Sequence, residues 1–102
     1  MFGSFRGSFV VSAHSIRDEG LRSTVESIRK QNLVEWECVL YLDEVCHEWE
    51  LIELSRYSPR FRLGTSTVWC PWADIRSDLA IHVIAGVELT ENAFASIVNR
   101  SE

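Results

Sequence analysis

Two short apolar runs rich in β-branched and large residues, SFVVSA at 8–13 and WECVLYL at 36–42, bracket a segment whose apolar residues recur at helical spacing. Between them Leu21, Val25 and Ile28 fall at i, i+4 and i+7, one face of a helix. A run apolar on successive residues suits a strand covered on both faces, as in a parallel sheet. Two such strands joined by a helix imply a βαβ unit and a right-handed crossover. No other feature limits the fold so strongly.

The spacing predicts a helix over 16–31. Ser15-Ile16-Arg17-Asp18 reads as a capping box with Asp in place of Glu, and Asn32 as the C-cap. Asp18 and Glu19 in the first turn, with Arg29 and Lys30 in the last, match the helix dipole. A second helix is expected over 46–56, ended by Ser58-Pro59. A short strand follows at 60–63, then a loop over 64–72, a short helix over 73–80 and a buried strand over 81–85. Gly86 turns the chain. Thr90 caps a last helix, with Leu89 and Phe94 as a hydrophobic staple. The order β-α-β-α-β-α-β-α predicts an α/β three-layer sandwich with a mostly parallel sheet and helices on both faces.

The length of 102 residues suits one domain over 1–102, large enough to bury a core. The net charge of −5 and scattered arginines argue against a nucleic-acid partner. No apolar run approaches the ~20 residues of a membrane span, and the glycine-broken start is a poor signal peptide. The expected setting is cytoplasmic, with Cys38, Cys46 and Cys70 as free thiols.

Open α/β sheets hold ligands outside the carboxyl ends of their strands. Here those ends are Ala13-His14, Asp43-Glu44, Gly64 to Ser66 and Gly86 to Glu88. Asp43 and Glu44 are open to two readings, a solvated strand exit or a ligand contact. Cys46-His47 among Asp43, Glu44, Glu48 and Glu50 lacks a second ligand pair at metal spacing. No nucleophile signature surrounds Cys46 or Cys70. Asp78 and His82 would meet only if both were helical. Trp69 and Trp72 flank Cys70-Pro71 and suit packing or a partner contact as well as stacking on a base or sugar.

FVVSAHSIRDEGLRSTVESIRKQNLVEWECVLYLDE resembles the opening of a family 2 glycosyltransferase of the GT-A type. Leu21, Thr24, Ser27, Ile28, Gln31, Trp36 and Asp43 fall in order on its strand, L..tl.Si..Q helix and acid-tipped second strand. SPRFRL resembles the third strand of that family, WADIRSDLAI its Arg-Asn segment, and HVIAGVELTENAFASI the strand and helix around its metal site. The resemblance implies a half-Rossmann-like nucleotide-diphospho-sugar scaffold. By position it places Asp43 on the base of a UDP- or GDP-sugar, Ala13 and His14 along the nucleotide pocket, and Arg76 near the diphosphate.

The departures are as informative. Leu42 replaces the first acid of the pair at strand two, and Ile84-Ala85-Gly86 replaces the D-x-D. Apolar residues cannot ligate Mg²⁺ or Mn²⁺, which take oxygen donors. Glu88 is the nearest acid and comes late. The acceptor half that bears the family's catalytic base has no counterpart in the sequence. The expectation is a truncated domain that takes a nucleotide sugar without transferring it by itself. The alternative is a structural or interaction module that retains only the fold. An uncovered sheet edge further implies a homo-oligomer or a partner protein.

Overall fold

The structure is a computed structural model, and it describes residues 5–56, 58–64 and 75–101. The chain runs β1 (Gly7–Ala13), α1 (Glu19–Arg29), β2 (Trp36–Leu42), α2 (Glu48–Ser55), β3 (Phe61–Leu63), β4 (Ala80–Ile84) and α3 (Ala93–Ser101). The four strands form one sheet in the order β3-β2-β1-β4, and every pairing is parallel. The α/β class and parallel sheet expected from the sequence are borne out.

Strand parity sorts the sheet into two unlike faces. The register sets Phe9 beside Cys38 and Ile81, and Val11 beside Leu40 and Val83. These residues join Leu21, Val25 and Ile28 of α1, Leu54 of α2, and Phe94 and Val98 of α3 in one apolar cluster. Its centre is aromatic. The Phe9 ring meets Trp36 edge-on at 6.0 Å and Phe94 at 5.4 Å, and Trp36 meets Phe61 at 5.3 Å. Buried aromatic pairs in such tilted arrangements add about 0.5–1.5 kcal/mol each beyond area burial.

The opposite face carries Ser8, Val10 and Ser12 of β1, Glu37, Val39 and Tyr41 of β2, Arg62 of β3 and His82 of β4. Helices α1 and α2 step the sheet in one direction, from β1 to β3. The return to β4 runs the other way, so a right-handed crossover must pass over the opposite face. The described end of that return obeys the rule: Arg76 N–H donates to the Glu37 carboxylate, and Ser77 Oγ lies 2.7 Å from Ser8 Oγ. Among the described residues this segment lies on the opposite face, while α1, α2 and α3 all contribute to the cluster on the first face.

Several element ends differ from the sequence expectation, for local reasons. Helix α1 starts later, because Asp18 is itself the N-cap, accepting from Gly20 N–H at 2.8 Å. Ser15 Oγ instead accepts from Arg17 N–H at 3.2 Å in the preceding turn. The C-cap is Lys30, not Asn32, because Gln31 already turns inward. Helix α2 ends at a left-handed Arg56, φ 52°, before Ser58-Pro59. Residues 75–79 form no helix and Ala80 opens β4, so the helix expected over 73–80 is absent from its described part. The loop over 65–72, with Trp69, Cys70 and Trp72, lies outside the described residues. Helix α3 begins at Ala93 rather than after Thr90, and its first turn is held by the Gln31 side chain, just past the end of α1.

Candidate functional site

The carboxyl edge of the sheet brings three of the four expected site residues together. β1 ends at Ala13 and β2 at Leu42, which are partners in the register. The ladder continues past both strands: Asp43 N–H donates to Ala13 O at 3.3 Å and Glu44 N–H to His14 O at 3.0 Å. This extension sets three side chains side by side. His14 Nδ1 lies 3.4 Å from Asp43 Oδ2, and His14 Nε2 lies 3.2 Å from Glu44 Oε1. The side chains are 70%, 78% and 56% exposed, so these contacts hold little energy. They are accessible groups, not a closed structural lock.

The fourth residue lies elsewhere. Arg76 is anchored through its backbone N–H to Glu37, six residues before Asp43 on β2. At ~3.3 Å per residue that is ~20 Å down the sheet, at its amino end. The Arg76 side chain is exposed there, and the structure does not bring it to His14 and Asp43.

β4 reaches the carboxyl edge as Ile84, Ala85 and Gly86. Ala85 N–H donates to Ser12 O at 3.1 Å, continuing the ladder from β1. Ile84 is 63% exposed and offers no oxygen ligand from its side chain. Gly86 has φ +105°, a backbone conformation that side-chain-bearing residues rarely adopt. Glu88 follows, exposed in the loop leading to α3. Among the described residues, no group of three or more His, Cys, Asp or Glu is arranged to hold a metal ion. The residues on β4 therefore do not fit the divalent cation that the family resemblance implies.

The loop after β4 is fastened along α1 by the polar residues of the motif read in the sequence. Thr24 Oγ1 accepts from Gly86 N–H at 2.9 Å and donates to Val87 O at 2.7 Å. Gln31 Nε2 donates to Thr90 O at 2.7 Å and Ser27 O at 3.1 Å, and its Oε1 accepts from Phe94 N–H at 2.8 Å. Gly20 passes so close that an added Cβ would lie 3.0 Å from Gly86 N. Thr24 thus fixes the edge of the site without entering it, while Gln31 holds the approach to α3.

The sequence reading missed Glu37. It is an acid only 1% exposed near the amino end of β2. Its carboxylate accepts from Ser8 Oγ at 2.6 Å, from Arg62 Nη2 at 3.0 Å and from Arg76 N–H. The available signal was a single acid inside an otherwise apolar strand. Its role here is to pin the returning segment to the sheet.

Neither described cysteine is an activated thiol. Burial, with Glu37 adding to it, pushes the Cys38 thiol far above its ordinary value. Cys46 is also raised, first by burial and then by Glu50, with a backbone hydrogen bond to Leu51 acting the other way. Reactive thiols are shifted down instead. His82 lies on β4 as expected, with Nε2 2.9 Å from Ser12 Oγ, while Asp78 lies in the bend before that strand.

Comparison with solved structures finds the same architecture in TarS of S. aureus, with a TM-score of 0.72 over 93% of this chain at 12% identity. The fold is glycosyltransferase-like. At that identity the likeness concerns the backbone arrangement alone. The chain spans 19% of the TarS chain. No family model and no curated protein sequence matches it. Among the described residues, no helix is long and apolar enough to cross a membrane.

Proposed function

We propose that this chain binds a nucleotide or nucleotide sugar, of the UDP or GDP type, at the carboxyl edge of β1 and β2 and does not transfer the sugar by itself. The observation that carries this reading is the juxtaposition of Ala13, His14 and Asp43 beside the point where the strand connections change face. α1 leaves β1 on one face, and the described end of the return to β4, at Arg76 and Ser77, lies against the other. Open parallel sheets offer a crevice at such a point, outside the strand ends.

The chemistry follows from the groups present. A carboxylate accepts hydrogen bonds from the N–H donors of a base or from ribose hydroxyls, and Asp43 presents one in solvent. His14 adds a ring that can stack or donate. Ala13 is small, which leaves the backbone open to a flat ligand. No residue on β4 supplies the cation ligands that a departing diphosphate needs, so transfer through a divalent metal has no basis in these side chains.

On β4, Ala80, His82 and Ile84 are exposed, and Val87 is 45% exposed just beyond. This edge, free of acids, lysines and arginines on β4, supports a second reading, an interaction module that assembles with a copy of itself or a partner subunit. Incubation with UDP- and GDP-sugars should yield neither transfer nor hydrolysis. Chelator-sensitive turnover by the purified chain would overturn the non-catalytic part of the proposal. Sedimentation across micromolar concentrations tests assembly, and a strict monomer with no partner would remove the second reading.

A further inference from the structure

The helix side of the domain carries a cleft that the nucleotide reading does not use. Between the start of α1 and the length of α2 lies a space of about 240 Å³, floored by Ile16 and Leu54. Its walls are Arg17, Arg22, Glu50 and Glu53, and Trp49 forms one side. Trp49 is 60% exposed, although a large aromatic on a helix of this kind would ordinarily turn inward. Its ring is set parallel to His47, with centroids 6.4 Å apart and planes 7° apart, which gives it a defined face.

The charges of the walls cancel. Two arginines face two glutamates, and one of each is already committed, since Arg17 Nε donates to the buried Glu50 carboxylate at 3.2 Å. Among the described residues, Arg22 makes no ion pair, and neither does Glu53. The cleft therefore offers no net attraction to an anion such as phosphate, nor to a cation. It offers one planar apolar face beside one free guanidinium fork and one free carboxylate. That set fits a neutral ring with an apolar face and several hydroxyls, which can stack while its hydroxyls accept from arginine and donate to glutamate. The volume lies just below the ~300–1,000 Å³ of pockets for drug-sized ligands, and so suits one ring.

We infer that this cleft binds a neutral pyranose unit, with Trp49 as the stacking platform and Arg22 and Glu53 as the hydroxyl partners. Neither His14 nor Asp43 lines the cleft, so substitutions at Trp49 and Arg22 test it without touching the proposed nucleotide contacts. Binding through one ring should be weak, with a dissociation constant in the millimolar range.

The test is a titration of the isotope-labelled chain with methyl β-glucopyranoside and methyl N-acetyl-β-glucosaminide, followed by nuclear magnetic resonance. The Trp49 indole N–H signal, assigned from Trp49→Phe, should move and saturate, together with the Arg22 amide. Trp49→Ala should abolish the response while leaving the remaining spectrum folded, and Arg22→Leu should weaken binding by about tenfold. Inorganic phosphate should leave both signals in place. Stationary Trp49 and Arg22 signals up to the solubility of either sugar, an unchanged response in Trp49→Ala, or a response to phosphate but not to sugar would each overturn the inference.

Discussion

Gln31 at the end of α1 accepts a hydrogen bond from Phe94 N–H at 2.8 Å and so caps a helix 63 residues further along the chain. With its amide also donating to Thr90 O and Ser27 O, the side chain satisfies three polar groups at once while only 3% exposed. Gln31→Ala leaves buried groups without partners, each worth ~1–3 kcal/mol. The expected loss is about 2–3 kcal/mol, a melting temperature lower by roughly 10 °C by calorimetry. An unchanged melting temperature would show that the bridge carries no stability.

Glu37 and Arg62 form a second long-range tie, at 3.0 Å, with the carboxylate almost fully buried. Removing one member of such a pair strands the other, at a cost of ~3–5 kcal/mol. Glu37→Leu should therefore destabilise strongly, and Glu37→Leu with Arg62→Met should cost less than the sum of the two single changes. A double-mutant cycle by urea unfolding reads the coupling, and strict additivity would refute it.

Cys38 links stability to alkaline pH. Its folded thiol is held far above the ordinary 9.0, chiefly by burial. The neutral form is favoured in the native state, so its contribution is complete below the unfolded value. It then falls as pH rises above about 9, by up to ~1.4 kcal/mol per pH unit. Cys38→Ala should flatten that decline in denaturant midpoints measured from pH 8 to 10. In the native wild type, Cys38 should resist alkylation under conditions that label it after unfolding.

Gly86 sits where the resembled family would carry a metal ligand, and its φ of +105° reserves the position for glycine. Gly86→Ala should destabilise by ~1–2 kcal/mol through backbone strain alone, since nothing lies within 4 Å of an added Cβ. Equal stability in thermal unfolding would mean that the turn relaxes freely.

The parallel sheet was legible because Val10, Val11, Val39 and Leu40 form runs too apolar for a one-sided strand, and because Leu21, Val25 and Ile28 mark the intervening helix. The meeting of His14 with Asp43 was legible from strand ends, since register carries both to one edge. Arg76 was not. Its place depends on how far the β3–β4 return travels before Glu37 catches its backbone, a tertiary contact with no local spacing. The start of α3 was read two residues early for the same reason, because its capping group comes from Gln31 rather than from Thr90. Trp49 faces outward, 60% exposed, an orientation set by tertiary packing of α2 rather than by any local spacing.

The central claim is that Asp43 and His14 hold a nucleotide without help from a metal. Calorimetric titration with UDP and with GDP, each with and without Mn²⁺, tests it most directly. The account predicts binding of at least one nucleotide, unaltered by Mn²⁺ and weakened about tenfold or more by Asp43→Ala. Absence of heat with both nucleotides, or binding that requires Mn²⁺ or ignores Asp43→Ala, would contradict it.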